Sequence, residues 1–449
     1  MNPEFQRNLW LEAAPRRIAW AALTLVLIYL ATGLLARNSA AGPWPALAGV
    51  GSFVFVICGV LWGARAAGGA VLGEIADRTW DFQRLSAISP WRMTWGKLFG
   101  AASLAWLCGL TGLLLAGVWD LIRGDTAGLW SLGFLAALAL LLQAASLGAA
   151  LVGVRKARAE GRPARAGGVL GGIVLGVILL LGAAGSQGFQ RGAGLEGLSQ
   201  TFMPRDGLIW WWAHPWPAVS FRAVATAALA AWALVGAWRL MRLELQMKNT
   251  PLVWPAFLVF VAVFLGGFPF LQGGWAASLL AAALAVALCA YAAAFAEPAD
   301  PVRLRLFAGA LLHGNLARAA PMTPAALAPV ALAILLVAGG LFAGGAPGQG
   351  LDAAQAAALI AFVLRDLGVI ALFRFGPRPQ RGDFGAIVAL AVLYAVGGIV
   401  GSAIGQGMGR ALFAPLSDAP LASLISGLAQ ALVVWAIAAR RIAGRRVAA

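Results

Sequence analysis

Apolar positions along this chain come in unbroken blocks, with neither the alternation of strands nor the narrow stripe of a surface helix. Blocks of about 18 residues or more recur from end to end, and each is long enough to cross roughly 30 Å of hydrocarbon as a helix. They predict about twelve spans, at 17–36, 46–64, 98–119, 129–153, 167–185, 218–238, 254–271, 275–296, 325–344, 353–373, 384–405 and 419–438. An even number puts both termini on one side. The pattern predicts an all-α polytopic membrane fold. A barrel would need short alternating strands, and none is visible.

The blocks also group. Two spans, a long polar loop and four more spans occur twice, with the long loops at 65–97 and 297–324. An outer segment, 186–217 in one half and 406–418 in the other, precedes each last span. This layout predicts a tandem 6+6 arrangement, a common transporter plan. An interfacial helix at 1–16 leads into a first half at 17–240, a linker at 241–253 and a second half at 254–449.

Composition fits this picture. Of 449 residues, 61% are hydrophobic and 11% charged, whereas soluble domains are nearer one half and one quarter. The formal net charge of +16 is not spread as a nucleic-acid footprint would be. Arg7, Arg16, Arg17, the bases of 65–97, Arg155–Arg165, Arg239–Lys248, Arg303–Arg318, Arg374–Arg381 and Arg440–Arg446 fall on one set of loops. Arg37, Arg123, Arg191, Arg205, Arg222 and Arg410 fall on the other. The excess marks the cytoplasmic side and puts both termini there, with the bases at lipid headgroups. The first apolar block is too long for a cleavable signal peptide. These features place the chain as a multi-pass protein of a bacterial cytoplasmic membrane.

Enzyme chemistry is hard to find. Cys58, Cys108 and Cys289 lie inside spans without close spacing and read as packing residues. His214 and His313 have no second ligand at metal spacing. No paired carboxylates, nucleophile–base set or phosphate-cradling loop stands out. Trp210, Trp211, Trp212 and Trp216 cluster at a span edge as an interfacial belt does. Arg365 and Asp366 are the clearest intramembrane charges, a functional hypothesis by default. Adjacent helical residues point about 100° apart and need not pair with each other, and an early end to the span would leave both at the interface.

The most polar stretch of the first third is TWDFQRLSAISPWRMTWGK, residues 79–97. Thr79 reads as an N-cap with Asp81 in the first turn of a short helix over about 80–88. Ser89-Pro90 restarts the chain as a cap followed by proline at the first helical position. Two turns are too few to be stable alone, so this helix needs lipid or a partner. Three readings fit: a plain interfacial connection, a major-facilitator secondary carrier and an ATP-driven exporter. For the carrier, Gly73, Asp77 and Arg78 fit the start of that family's loop motif, but Trp80-Asp81-Phe82 replaces its basic continuation.

The run Gly73-Glu74, Thr79-Trp80-Asp81, Leu85, Ser89-Pro90 and Gly96-Lys97 resembles the coupling segment of ABC-2 type exporter permeases. The N-terminal NPEFQRNLWLEAAPRR is similar to that family's interfacial helix, and the outer segment before span six to its re-entrant segment. The resemblance implies that 79–89 is a coupling helix docking on a separate P-loop ATPase, in about two copies, with ATP and Mg held on that partner and no cofactor on this chain. It implies contact residues at Glu74, Thr79, Trp80, Asp81, Arg84, Leu85, Ile88, Ser89, Pro90 and Lys97. Trp80, Leu85 and Ile88 would supply apolar anchors, and Glu74, Asp81 and Arg84 pairing and orientation. In the second half, Glu297, Asp300, Arg303 and Leu304 take the parallel place by layout, without the Thr-Trp-Asp signature. One chain then supplies both halves of a permease, or pairs as a homodimer or with an auxiliary protein. The apolar interior favours an amphipathic or lipid-like cargo.

Overall fold

The computed structural model describes residues 2–86, 88–159, 207–247, 249–250, 252–268, 274–342, 353–376, 381–405, 407–415 and 417–444, most of them helical. They fall chiefly into two compact units, Met1–Arg155 with Trp216–Asn249, and Thr250–Ala449 with residues 207–215. The division at 249/250 lies inside the 241–253 linker. Among the described residues, 9 helices are long and apolar enough to cross a membrane. The number is 10 if Leu316–Met322 and Leu327–Phe342, bent by 110°, form one span. The span expected at 167–185 and most of the segment 186–217 lie outside the described residues.

In the first unit, α1 (Pro3–Glu12) opens behind Asn2, whose Oδ1 accepts from the Glu4 N–H at 3.2 Å, with proline in the first turn. α2 (Pro15–Ala36) buries no residue; an apolar surface all round suits a helix bathed in lipid. α3 (Trp44–Ala76) is 33 residues long and runs well past the expected end at 64. Residues 63–76 contain no proline, and Gly63 and Gly68 let Gln143 and Ser146 pack against them. A Cβ at either glycine would lie only 2.3 or 2.4 Å from those side chains. Within α3 a π-helical stretch, Val56–Trp62, leaves the Gly59 carbonyl to accept from Gln143 Nε2 at 2.8 Å.

α3 stops where Arg78 adopts φ 58°. There Arg78 N–H bonds Ile75 O and Thr79 N–H bonds Glu74 O, the left-handed stop that usually uses glycine. α4 (Trp80–Arg84) has 5 residues, shorter than the two turns expected over 80–88. Ser86 Oγ donates to Gln83 O at 2.6 Å and closes the turn. α5 (Pro90–Trp95) starts as its sequence predicts, with Ser89 Oγ accepting from Arg92 N–H at 3.4 Å. It continues through a π-helical turn, Gly96–Gly100, towards α6 (Ser103–Arg123) and then α7 (Thr126–Ala159). α3 and α6 touch backbone to backbone: a Cβ on Gly112 would sit 2.1 Å from Gly51 O, the small-residue contact of membrane helices.

The tryptophan-rich segment forms a β-hairpin at the edge of the span that follows. β1 (Leu208–Trp211) pairs with β2 (His214–Pro217). Trp212 and Ala213 turn the chain with φ 49° and 58°, as primed hairpin turns require. α8 (Ala218–Glu244) follows.

The second unit contains α9 (Val253–Gly266), α10 (Gly274–Ala296), α11 (Pro301–Leu312), α12 (Leu316–Ala319), α13 (Leu327–Phe342), α14 (Ala353–Arg374), α15 (Gly382–Ile404), α16 (Met408–Ala411) and α17 (Pro420–Gly444). α9 is apolar but short for a span. Its end receives the Trp211 indole on Phe264 O at 2.9 Å and the Trp212 N–H on Gly267 O at 2.8 Å. α14 is the centre of the unit, with α10, α13, α15 and α17 packed on it. Ile360, Val363, Leu367 and Ile370 meet Val286, Phe295 and Leu390 there.

Candidate functional site

Lys97 organises the first candidate site. Its side chain is fully buried, and an ammonium in that position must have partners. Nζ donates to Glu4 Oε1 at 3.0 Å, to Gln83 Oε1 at 3.0 Å and to Glu74 Oε2. Its three donors thus have three acceptors. The ammonium also lies 5.0 Å from the centre of the Trp80 ring, within cation–π range. Arg7 Nη2 donates to Glu74 Oε1 at 2.8 Å and Arg7 Nη1 to Glu4 Oε2 at 3.3 Å. Two cations and two carboxylates therefore neutralise each other. α1 reaches them because Gly96 and Gly100 clear a groove: a Cβ at either would lie 2.6 Å from Glu4 Cγ or 2.8 Å from Asn8 Cβ.

The same cluster anchors α4. Trp80 is 2% exposed, and its indole donates to Glu244 Oε1 at 3.1 Å. Arg84 Nε donates to Glu244 O at 3.1 Å while Nη1 pairs with Asp81 at 3.3 Å. Ile88 is half-buried and packs against the core cluster that contains Val71, Trp80, Met93 and Leu98. The ten residues expected to share one contact surface therefore divide. Glu74, Trp80, Ile88 and Lys97 face the chain's own interior, and Arg84 is mostly held there. In the chain itself Trp80 is buried and Ile88 half-buried, so neither projects outward as Leu85 does. Thr79 holds the cap position of α4, but its Oγ1 donates back to Glu74 O at 3.3 Å. Ser89 and Pro90 serve the start of α5. Facing outward are Asp81, Leu85 at 86% exposure and Phe82 at 78%.

The second loop is built differently. Asp300 Oδ1 caps α11, accepting from the Val302 and Arg303 N–H groups at 2.9 and 3.1 Å. Glu297 pairs with Arg303 and accepts from the Ala325 N–H at 2.8 Å, and Arg303 Nη2 donates to Thr323 O at 3.1 Å. These residues staple the loop to itself. Leu304 is half-buried, and Leu312 and Leu316 are the most exposed apolar side chains of α11 and α12.

Arg365 and Asp366 lie midway along α14, and both are buried. They do pair, although neighbours on a helix need not. Arg365 Nε reaches Asp366 Oδ1 at 2.8 Å because the long arginine folds back across its own helix. Tyr291 of α10 and Tyr394 of α15 both donate to Asp366 Oδ2, at 2.6 and 2.8 Å. Arg365 Nη1 donates to Gln430 Oε1 of α17 at 3.1 Å. The guanidinium lies 4.5 Å from the Phe362 ring centre and 4.9 Å from that of Tyr394. The helix itself runs on past them to Arg374.

Sequence reasoning did not bring Glu4, Arg7, Gln83, Glu244, Tyr291, Tyr394 or Gln430 into these sites. The available signal was scarcity. The chain has 17 acidic residues and 3 tyrosines, so Glu4 and Glu244 beside apolar spans, and two tyrosines inside them, called for partners.

Fold and sites together define a multi-pass, α-helical membrane protein that buries clusters of charged side chains among its described residues. No family model matches the chain, and neither a curated protein nor a solved structure does.

Proposed function

We propose that this chain is the membrane permease subunit of an ATP-driven exporter of the ABC-2 type. A separate P-loop ATPase, in about two copies, binds ATP and Mg and closes and opens with hydrolysis. α4 passes that motion to the spans. One observation carries the reading: α4 turns Phe82, Leu85 and Asp81 outward while Trp80 and Lys97 bolt its other face to α1, α3 and α8. A lever needs both properties, an apolar contact for the motor and a stiff joint to the load. The basic ends of the spans and both termini lie in the cytoplasm of a bacterial cell, in this reading. Trp10 and Leu11, exposed on α1, sit at the headgroup level. The cargo is amphipathic or lipid-like.

The test is capture of the tagged full chain from its own cells in mild detergent, with mass spectrometry of stoichiometric partners. A P-loop ATPase at about two copies per chain is expected, and Phe82→Ser with Leu85→Ser should release it without unfolding the spans. Normal stimulated ATPase activity in that double variant would sink the proposal. The buried Arg365–Asp366 pair favours a second reading, a secondary carrier of the major-facilitator kind. An intact chain that captures no ATPase selects it.

A further inference from the structure

The segment between α15 and α17 does not stay at the end of the bundle. Gln430 lies ten residues inside α17, about 15 Å from its start, a distance equal to about half the thickness of the hydrocarbon. Its Nε2 donates to Leu412 O at 2.6 Å. Ser426 Oγ donates to the same carbonyl at 2.9 Å, and Ser423 Oγ donates to Ala414 O at 3.0 Å. Irregular backbone at this depth survives only where protein groups satisfy it, and three side chains of α17 do so here.

The segment's other ties are to α15: Phe413 packs against Gly397, and Arg410 Nε donates to Ser402 Oγ at 3.4 Å. α16 has 4 residues, too few to be stable alone. Its contact with α15 includes glycine on glycine: a Cβ at Gly409 would lie 2.2 Å from Gly401 O. Met408 and Leu412 remain 71% and 42% exposed. A single turn of helix held mainly by side-chain hydrogen bonds from α17 is an element that can open locally.

Gln430 joins this segment to the charge centre. Its amide nitrogen holds the Leu412 carbonyl and its amide oxygen holds Arg365 Nη1, so one side chain satisfies both only while the segment is seated. Arg365 is in turn oriented by Asp366, and Asp366 by Tyr291 and Tyr394. From this geometry we infer that residues 407–415 form a movable plug over the polar centre of the second unit, and that Gln430, positioned by Arg365–Asp366, is its latch. Unseating the plug opens a path from one membrane face to that centre. This inference is independent of the ATPase reading and holds for either kind of transporter.

The experiment uses the full chain in nanodiscs, with Cys58, Cys108 and Cys289 changed to alanine and Ala411→Cys as the reporter. Ala411 is fully buried in the seated plug. A water-soluble maleimide should label it slowly. Gln430→Leu should raise the labelling rate about tenfold, the effect of losing a hydrogen bond of ordinary strength. Arg365→Leu with Asp366→Leu should raise it comparably. A second reporter, Ala386→Cys, buried in the core of α15, should stay unlabelled throughout. Rates within twofold of the parent in both latch variants overturn the inference. If both reporters rise together, the milder Tyr394→Phe decides: labelling must rise at Ala411→Cys alone, or the latch is refuted.

Discussion

Lys97 and Arg365 are both buried cations in apolar surroundings, but their partners come from opposite ends of the range of sequence separation. Arg365 pairs with its immediate neighbour, and its network joins α10, α14, α15 and α17 within their helical bodies. Lys97 finds Glu4, 93 positions away, and Glu74, 23 positions away, at the ends of helices. The first network fixes how parallel spans sit around one another. The second ties a surface helix, α1, and a short lever, α4, to the ends of spans. Burial of charge is costly in both. A cluster at helix ends can set the position of a surface element, whereas a cluster at mid-helix can register sliding or parting of the spans themselves.

The largest effect is expected from Lys97→Met. Glu4 and Glu74 would then face each other in a buried site, with only Arg7 to compensate. A loss of about 3–5 kcal/mol should follow, read as a lower thermal midpoint in detergent, with faster hydrogen exchange over residues 3–12 as α1 comes loose. A parent-like melt would mean the cluster carries no such load. In the second unit, Asp366→Leu alone should cost about 3 kcal/mol or more because it strands Arg365. Arg365→Leu with Asp366→Leu should recover most of that loss, because an apolar pair suits the site. A double variant as unstable as the single would show that Tyr291, Tyr394 and Gln430 depend on the charges for structure. The smallest change is Trp80→Phe. It keeps the ring over Lys97 and removes the indole bond to Glu244, so it should cost about 1–3 kcal/mol while α1 stays protected from exchange. Loosening of α1 in that variant would merge two contacts that the geometry keeps separate.

Much of the fold was legible because span formation depends on length and apolarity alone. Pro15–Ala36, Ala353–Arg374 and Gly382–Ile404 match their expected bounds within a few residues. Ser89 and Pro90 announced the start of α5 by local chemistry that needs no tertiary partner. The miss at α3 has a physical cause. Nothing in residues 65–76 forbids helix, and the polar letters that suggested a loop are accommodated: Arg65 lies exposed, and Glu74 pairs with Arg7 and Lys97. The hairpin at Trp212 and Ala213 was not readable, since neither residue favours positive φ by itself. The site was half legible: Glu74, Trp80, Asp81 and Lys97 were singled out, but not which way each would face.

The sequence by itself determined that this chain lives in a membrane, roughly where its helices run, and that residues 79–97 and Arg365–Asp366 are unusual within it. Those properties follow from hydrophobicity summed over local windows and from the high cost of charge in hydrocarbon. Tertiary structure alone decided which charges meet. It turned Trp80 inward and Leu85 outward, folded Arg365 back onto Asp366, and drew the Leu412 carbonyl down to Gln430. Such pairings depend on glycine-cleared approaches such as Gly96–Gly100 against α1 and Gly401 against Gly409. Close approach of backbones is a property of two elements at once, and no single stretch of sequence contains it.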